Sequence, residues 1–129
     1  MTSARLAAVP PAQPGPTPHF SPVRVAGSLA YVSGQMAFSS GYTLVQGGVA
    51  EQTRQCMRNI EAALAPVGLS LDDVVKTTVW LTRSDDFTAF NAAYADALGT
   101  RTPPSRSTVR ADLMVPGALV EIEAVALLP

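Results

Sequence analysis

The side chains best equipped to do chemistry lie in the last third of the chain. Arg106, Thr108, Arg110 and Asp112 recur at a spacing of two, and Glu121 and Glu123 alternate with Val120, Ile122, Ala124 and Ala126. Two residues is the side-chain period of a β-strand, so each set occupies one side of an extended segment. A guanidinium stays charged at any working pH and meets a carboxylate through two parallel hydrogen bonds, a charge-assisted bond contributing about 1.5 to 3 kcal/mol. A lone carboxylate can take up and return a proton, the work of a general acid or base. An arginine and a glutamate from these sets, brought together, suit the binding of a small carboxylate and proton transfer beside it; the competing reading is an arginine–glutamate ion pair in a subunit interface.

Other chemistries lack their residues. One cysteine and one histidine set aside a structural zinc site or a disulfide framework within one chain, so a metal would have to be shared between chains. A net charge of -1 with no clustered Lys/Arg stripe argues against nucleic acid as a partner. No apolar run approaches the roughly 20 residues that span a bilayer, and the N-terminus lacks a signal-peptide pattern. The expectation is a cytoplasmic protein with no membrane partner.

The elements that must hold these groups can be read in order. The 129 residues suit one domain, 1–129. It opens with an arm over residues 1–22, whose prolines from Pro10 to Pro22 exclude helix and ladder. Val23 to Val25 and Leu29 to Val32, joined at Gly27-Ser28, read as a hairpin. Val49, Thr53, Cys56, Ile60, Ala63, Leu64 and Val67 recur at helical spacing and end near Gly68. Leu71 to Thr82 reads as a central strand with Val75, Val79 and Leu81 on one face and Lys76, Thr78 and Trp80 on the other. Ser84 or Asp85 is expected to cap a second helix with Phe87, Phe90, Tyr94 and Leu98 as its buried stripe. Strands at about Ser105 to Leu113 and Leu119 to Leu128 flank a turn at Pro116-Gly117. The class is α+β in the order β-β-α-β-α-β-β. Two helices cover one face of such a sheet, so the other, with its mixture of carboxylates and large apolar groups, is expected to meet further copies of the chain around a polar pocket.

In register with this order stand Val32-Ser33-Gly34-Gln35, Glu51 to Gln55, Ser70 to Lys76, Asp86-Phe87 with Asn91 and Tyr94, Arg106-Ser107, and Val120 to Ala124. From about Phe20 to the C-terminus this series resembles the RidA/YjgF/YER057c/UK114 family. The resemblance implies a chorismate-mutase-like fold and a homotrimer, with the sheets forming an inner barrel and clefts between subunits. It further implies hydrolysis of reactive 2-enamino and 2-imino acids, such as 2-aminoacrylate, to the keto acid and ammonia, without cofactor or metal. The substrate-carboxylate arginine then falls on Arg106 and the water-orienting glutamate on Glu121, with Ser33, Gly34, Phe20 and Thr108 as substrate contacts. Phe20 stands where the family pattern has tyrosine and Thr108 where it has cysteine. Phe20 keeps an apolar wall without a hydroxyl, and Thr108 keeps a hydroxyl far less reactive than a thiolate. Two further readings stay open: a deaminase or imine-processing enzyme for a specialised intermediate, and a non-catalytic trimer that binds small carboxylates or acts like a chaperone.

Several residues have plainer readings. Ser33 can satisfy backbone groups in a turn. His19 reads as a solvated loop residue within reach of the cleft if the arm folds over. Cys56 reads as a small core residue, and Trp80 with Lys76 as interface packing and a paired or solvated amine.

Overall fold

The structure, a computed structural model, describes residues 18–129. Its elements are β1 (Val23–Ala26), β2 (Leu29–Gln35), α1 (Val49–Leu64), β3 (Val74–Leu81), α2 (Phe87–Leu98), β4 (Ser105–Arg110) and β5 (Val120–Leu127). This is the expected order. Pro10, Pro11, Pro14 and Pro16 of the arm lie outside the described residues, and Pro18 to Pro22 take part in no helix or strand.

Local sequence explains each boundary that positions the site. Gly27, at φ 59°, supplies the left-handed turn between β1 and β2. The Glu51 carboxylate accepts from the Gly48 amide at 3.0 Å, satisfying an orphan donor at the start of α1. At the other end Gly68, at φ 80°, closes the 3₁₀ turn Ala65–Val67 that extends α1. Gln52, buried inside α1, donates to the Gly117 carbonyl at 3.0 Å and accepts from the Leu119 amide at 2.8 Å. It thereby fastens the loop that leads into β5.

The five strands form one sheet in the order β1-β2-β5-β3-β4, antiparallel except for β3 beside β4. That parallel pair needs a crossover, which α2 provides. Val79 and Leu81 of β3, with Val120, Ile122, Ala124 and Ala126 of β5, turn to the helices and are buried with Cys56, Ile60, Leu64 and Phe90. The opposite face carries Tyr31, Lys76, Thr78, Trp80, Glu121, Glu123, Val125 and Leu127, and neither α1 nor α2 covers it.

The fold departs from the sequence reading in five places. β3 starts at Val74, because Ser70 caps a 3₁₀ turn over Leu71–Asp73 that uses up the first residues. Val74 pairs with Ala126 and Lys76 with Val125, so Val75 is the extra residue of a bulge and is 45% exposed instead of sharing a face with Val79. Ser84 and Asp85 open a 3₁₀ turn, Ser84–Asp86, held by Arg83 on the Asp86 carboxylate at 3.1 and 3.0 Å, and give no cap to α2. Phe87, first residue of α2, lies at the rim of the core and is 44% exposed. β4 also ends earlier than expected, at Arg110. Its partner β3 stops at Leu81, and the Ala111 amide takes the last carbonyl there, leaving Asp112 outside the ladder.

Candidate functional site

Strand β4 presents Arg106 to the helices. Arg106 lies beside Thr77 in the β3–β4 register, and Thr77 is buried against α2, where its hydroxyl meets the Tyr94 hydroxyl at 2.7 Å. The guanidinium carbon sits 4.9 Å from the Tyr94 ring centre, 5.1 Å from Phe90 and 5.9 Å from Phe87. Three ring faces of this kind attract a cation by about 0.5 to 2 kcal/mol each. One terminal nitrogen, Nη2, donates to Asn91 Oδ1 at 2.9 Å. Among the described residues no carboxylate lies within salt-bridge distance of Arg106, whereas Arg54, Arg83 and Arg101 each have one. The guanidinium is thus backed by rings and held at one corner, with charge and further donors unmatched among the described residues.

Thr108 follows on the same side of β4, and its buried hydroxyl has no hydrogen-bond partner among the described residues. An orphaned hydroxyl of this kind costs about 1 to 3 kcal/mol, and the core residue Thr53 carries another. β4 is the edge of the sheet, paired only with β3. Arg106 and Thr108 therefore stand at the rim of the molecule.

Glu121 is elsewhere. Its neighbours Val120 and Ile122 are fully buried toward the helices, so its own side chain points to the uncovered face. Burial first, and the like charge of Glu123 second, push its carboxyl above the ordinary glutamate value. The carboxylate lies over Gly34, where a β-carbon would collide with its Oε2. Gly34 and Ser33 form an irregularity in the β2–β5 pairing, between Val32 opposite Ala124 and Gln35 opposite Ile122. The Ser33 hydroxyl donates to the Ser21 carbonyl at 2.6 Å, and the Ser33 amide to the Pro22 carbonyl at 3.0 Å, so this serine ties down the end of the arm. Phe20, next in that arm, is 60% exposed, and His19 is exposed beside it.

The residues expected to form one site thus fall into two groups: Arg106 and Thr108 on one face at one edge, and Glu121, Gly34, Ser33 and Phe20 towards the other. Glu121 pairs with Trp80 and Trp80 with Val109, so two strand spacings and three residues separate Glu121 from Arg106. That corresponds to about 14 Å between their backbones, with side chains pointing to opposite faces. The ion pair between Arg106 and Glu121 or Glu123 does not form within the chain. Sequence reasoning placed Tyr94 in the buried stripe of α2 and gave neither it nor Asn91 a part in the site, although their spacing of three marks them as one helical face.

The Endoribonuclease L-PSP family model matches residues 11–128. The chain belongs to this family, also called RidA/YjgF. A RutC family protein of Pyrococcus horikoshii is 36% identical over 114 residues, covering 88% of this chain and 90% of the relative. The human 2-iminobutanoate/2-iminopropanoate deaminase is 35% identical over 116 residues, covering 88% and 83%. Among solved structures, Escherichia coli TdcF with bound serine superposes with a TM-score of 0.80 at 29% identity, covering 91% of this chain and 94% of that one. The RidA-family chain has the chorismate-mutase-like fold expected for it. Its described residues include no helix long and apolar enough to cross a membrane, and no cluster of His, Cys, Asp and Glu suited to a metal ion. Cys56 is buried in the core, its thiol pushed up by burial and then by the Glu121 charge, with Sγ 3.8 Å from the Val120 carbonyl.

Proposed function

We propose that this RidA-family protein hydrolyses small 2-imino and 2-enamino acids to 2-keto acids and ammonia, in the cytoplasm, as a homotrimer. The observation that carries this reading is Arg106: a guanidinium held in place by α2 and lacking any carboxylate partner among the described residues. The geometry of the two groups supports oligomerisation. One copy supplies Arg106 and Thr108, and the next supplies Glu121, Gly34, Ser33 and Phe20. The uncovered sheet faces, with Tyr31, Trp80, Val125 and Leu127, pack together as an inner barrel.

The substrate carboxylate occupies the free donors of Arg106, which turns attack by water into a positioned event. An enamine first takes a proton from solvent water at its terminal carbon to become the iminium. Water then bonds to C2, the C=N electron pair moves to nitrogen, and Glu121 accepts the water's proton. The same carboxyl returns that proton to the nitrogen. The C–N bond breaks, ammonia leaves, and the hydroxyl gives its proton back to solvent as the C=O forms. Phe20 supplies an apolar wall, and the Thr108 hydroxyl a hydrogen bond to the bound acid.

The test generates 2-aminoacrylate in situ and follows keto-acid release. Wild type is expected to exceed buffer and Arg106→Ala to fall back to it; a wild-type rate equal to buffer removes the reading. Phe20 and Thr108, in place of tyrosine and cysteine, favour a second reading in which the cleft binds small carboxylates without turnover. Calorimetry with 2-ketobutyrate would then register binding while hydrolysis stays flat.

A further inference from the structure

Resting on the reading that Arg106 receives the substrate carboxylate, we propose that Asn91 and Tyr94 of α2 are positioning residues that set the plane and direction of the Arg106 fork before substrate arrives. A free arginine side chain samples many rotamers, and a bidentate contact needs its planar fork at one angle. Two restraints remove that freedom. The Tyr94 ring, the nearest of the three, backs the guanidinium from 4.9 Å, and the Tyr94 hydroxyl is itself anchored to Thr77 at 2.7 Å in a buried contact. Asn91 then accepts from Nη2 at 2.9 Å and fixes rotation within the plane. Thr77 is also the residue that lies beside Arg106 in the β3–β4 register, so the clamp runs from the sheet through α2 and back to the arginine.

The type of residue 91 matters as much as its place. An aspartate there would hold the guanidinium equally well, but would neutralise it and compete with the incoming acid. A neutral amide orients the fork and leaves its charge for the ligand. Asn91 is half-buried on the surface of α2, so replacing it disturbs no core packing.

The test uses the full chain in its native assembly with 2-ketobutyrate as the probe. Calorimetry measures affinity, and nitrogen-detected NMR follows the Arg106 guanidinium, identified by its loss in Arg106→Ala. In Asn91→Leu, binding is expected to weaken roughly ten-fold and the guanidinium signals to shift into faster rotational exchange, as loss of one charge-assisted bond implies. In Asn91→Asp, rotation is expected to stay slow while binding falls further, because the fork is held but its charge is taken. Wild-type affinity in Asn91→Leu, or unchanged guanidinium exchange, would overturn the positioning role. Unaltered binding in Arg106→Ala would instead overturn the functional reading beneath it, so the two failures are distinct.

Discussion

Arg106 and Glu121 occupy opposite faces of one sheet, two strands apart, with Arg106 turned to α2 and Glu121 turned away from both helices. No side-chain rotation joins them within a single chain. Two copies can do so, because Arg106 lies on the edge strand β4 and Glu121 on the uncovered face.

Mixed assemblies provide the most direct check. Arg106→Ala and Glu121→Gln are each expected to be inactive alone. Co-expressed in equal amounts, they should regain about a quarter of wild-type activity, since one seam in four then unites an intact arginine with an intact glutamate across a cyclic interface. Keto-acid release from the purified mixture measures this. No recovery would mean that the two residues do not share a seam.

Gly34→Ala separates site from fold. The added methyl meets the end of the Glu121 side chain, which can swing aside, and Gly34 does not adopt positive φ. Stability should change by less than about 1 kcal/mol in urea unfolding, while hydrolysis falls at least ten-fold with the displaced carboxylate. Full activity in this variant would show that Glu121 needs no particular placement over Gly34.

The raised Glu121 carboxyl has a defined sign in stability. A group whose folded pKa lies above its unfolded value contributes stability below the unfolded pKa and loses it as pH rises through the folded value. Glu121→Gln is therefore expected to raise the Tm at neutral pH, with the gain shrinking as pH falls through the raised native value and gone below about pH 4, where the unfolded chain is protonated as well. In activity, Glu123→Gln removes the second cause of the shift and should move the acidic limb of kcat/KM to lower pH. Melting curves at two pH values and one pH–rate profile check both; a limb that does not move would separate Glu121 from the proton transfer.

Gln52→Leu tests the clamp on the loop before β5. It leaves the Gly117 carbonyl and the Leu119 amide without partners, at a cost of about 1 to 3 kcal/mol for two partly buried backbone groups. Urea unfolding is the measurement. A loss under about 1 kcal/mol would mean that water replaces the amide there.

Patterns of short range were legible in the sequence. The Gly27-Ser28 turn, the period of α1 and the alternation of β5 each depend on neighbours a few residues apart, and the order of elements follows from them. Strand periodicity offered Arg106 and Arg110 on one segment and Glu121 and Glu123 on another, and it was the family resemblance that singled out Arg106 and Glu121 as the candidate pair. Period two tells which residues share a side of a strand, but not which side faces the helices. For β4 that choice came from its parallel pairing with β3 across an intervening helix, which sets Arg106 beside Thr77 and under Tyr94. Long-range pairing also decided the bulge that turned Val75 outward and the separation of the two halves of the site, because register is fixed by what lies across the ladder rather than along the chain.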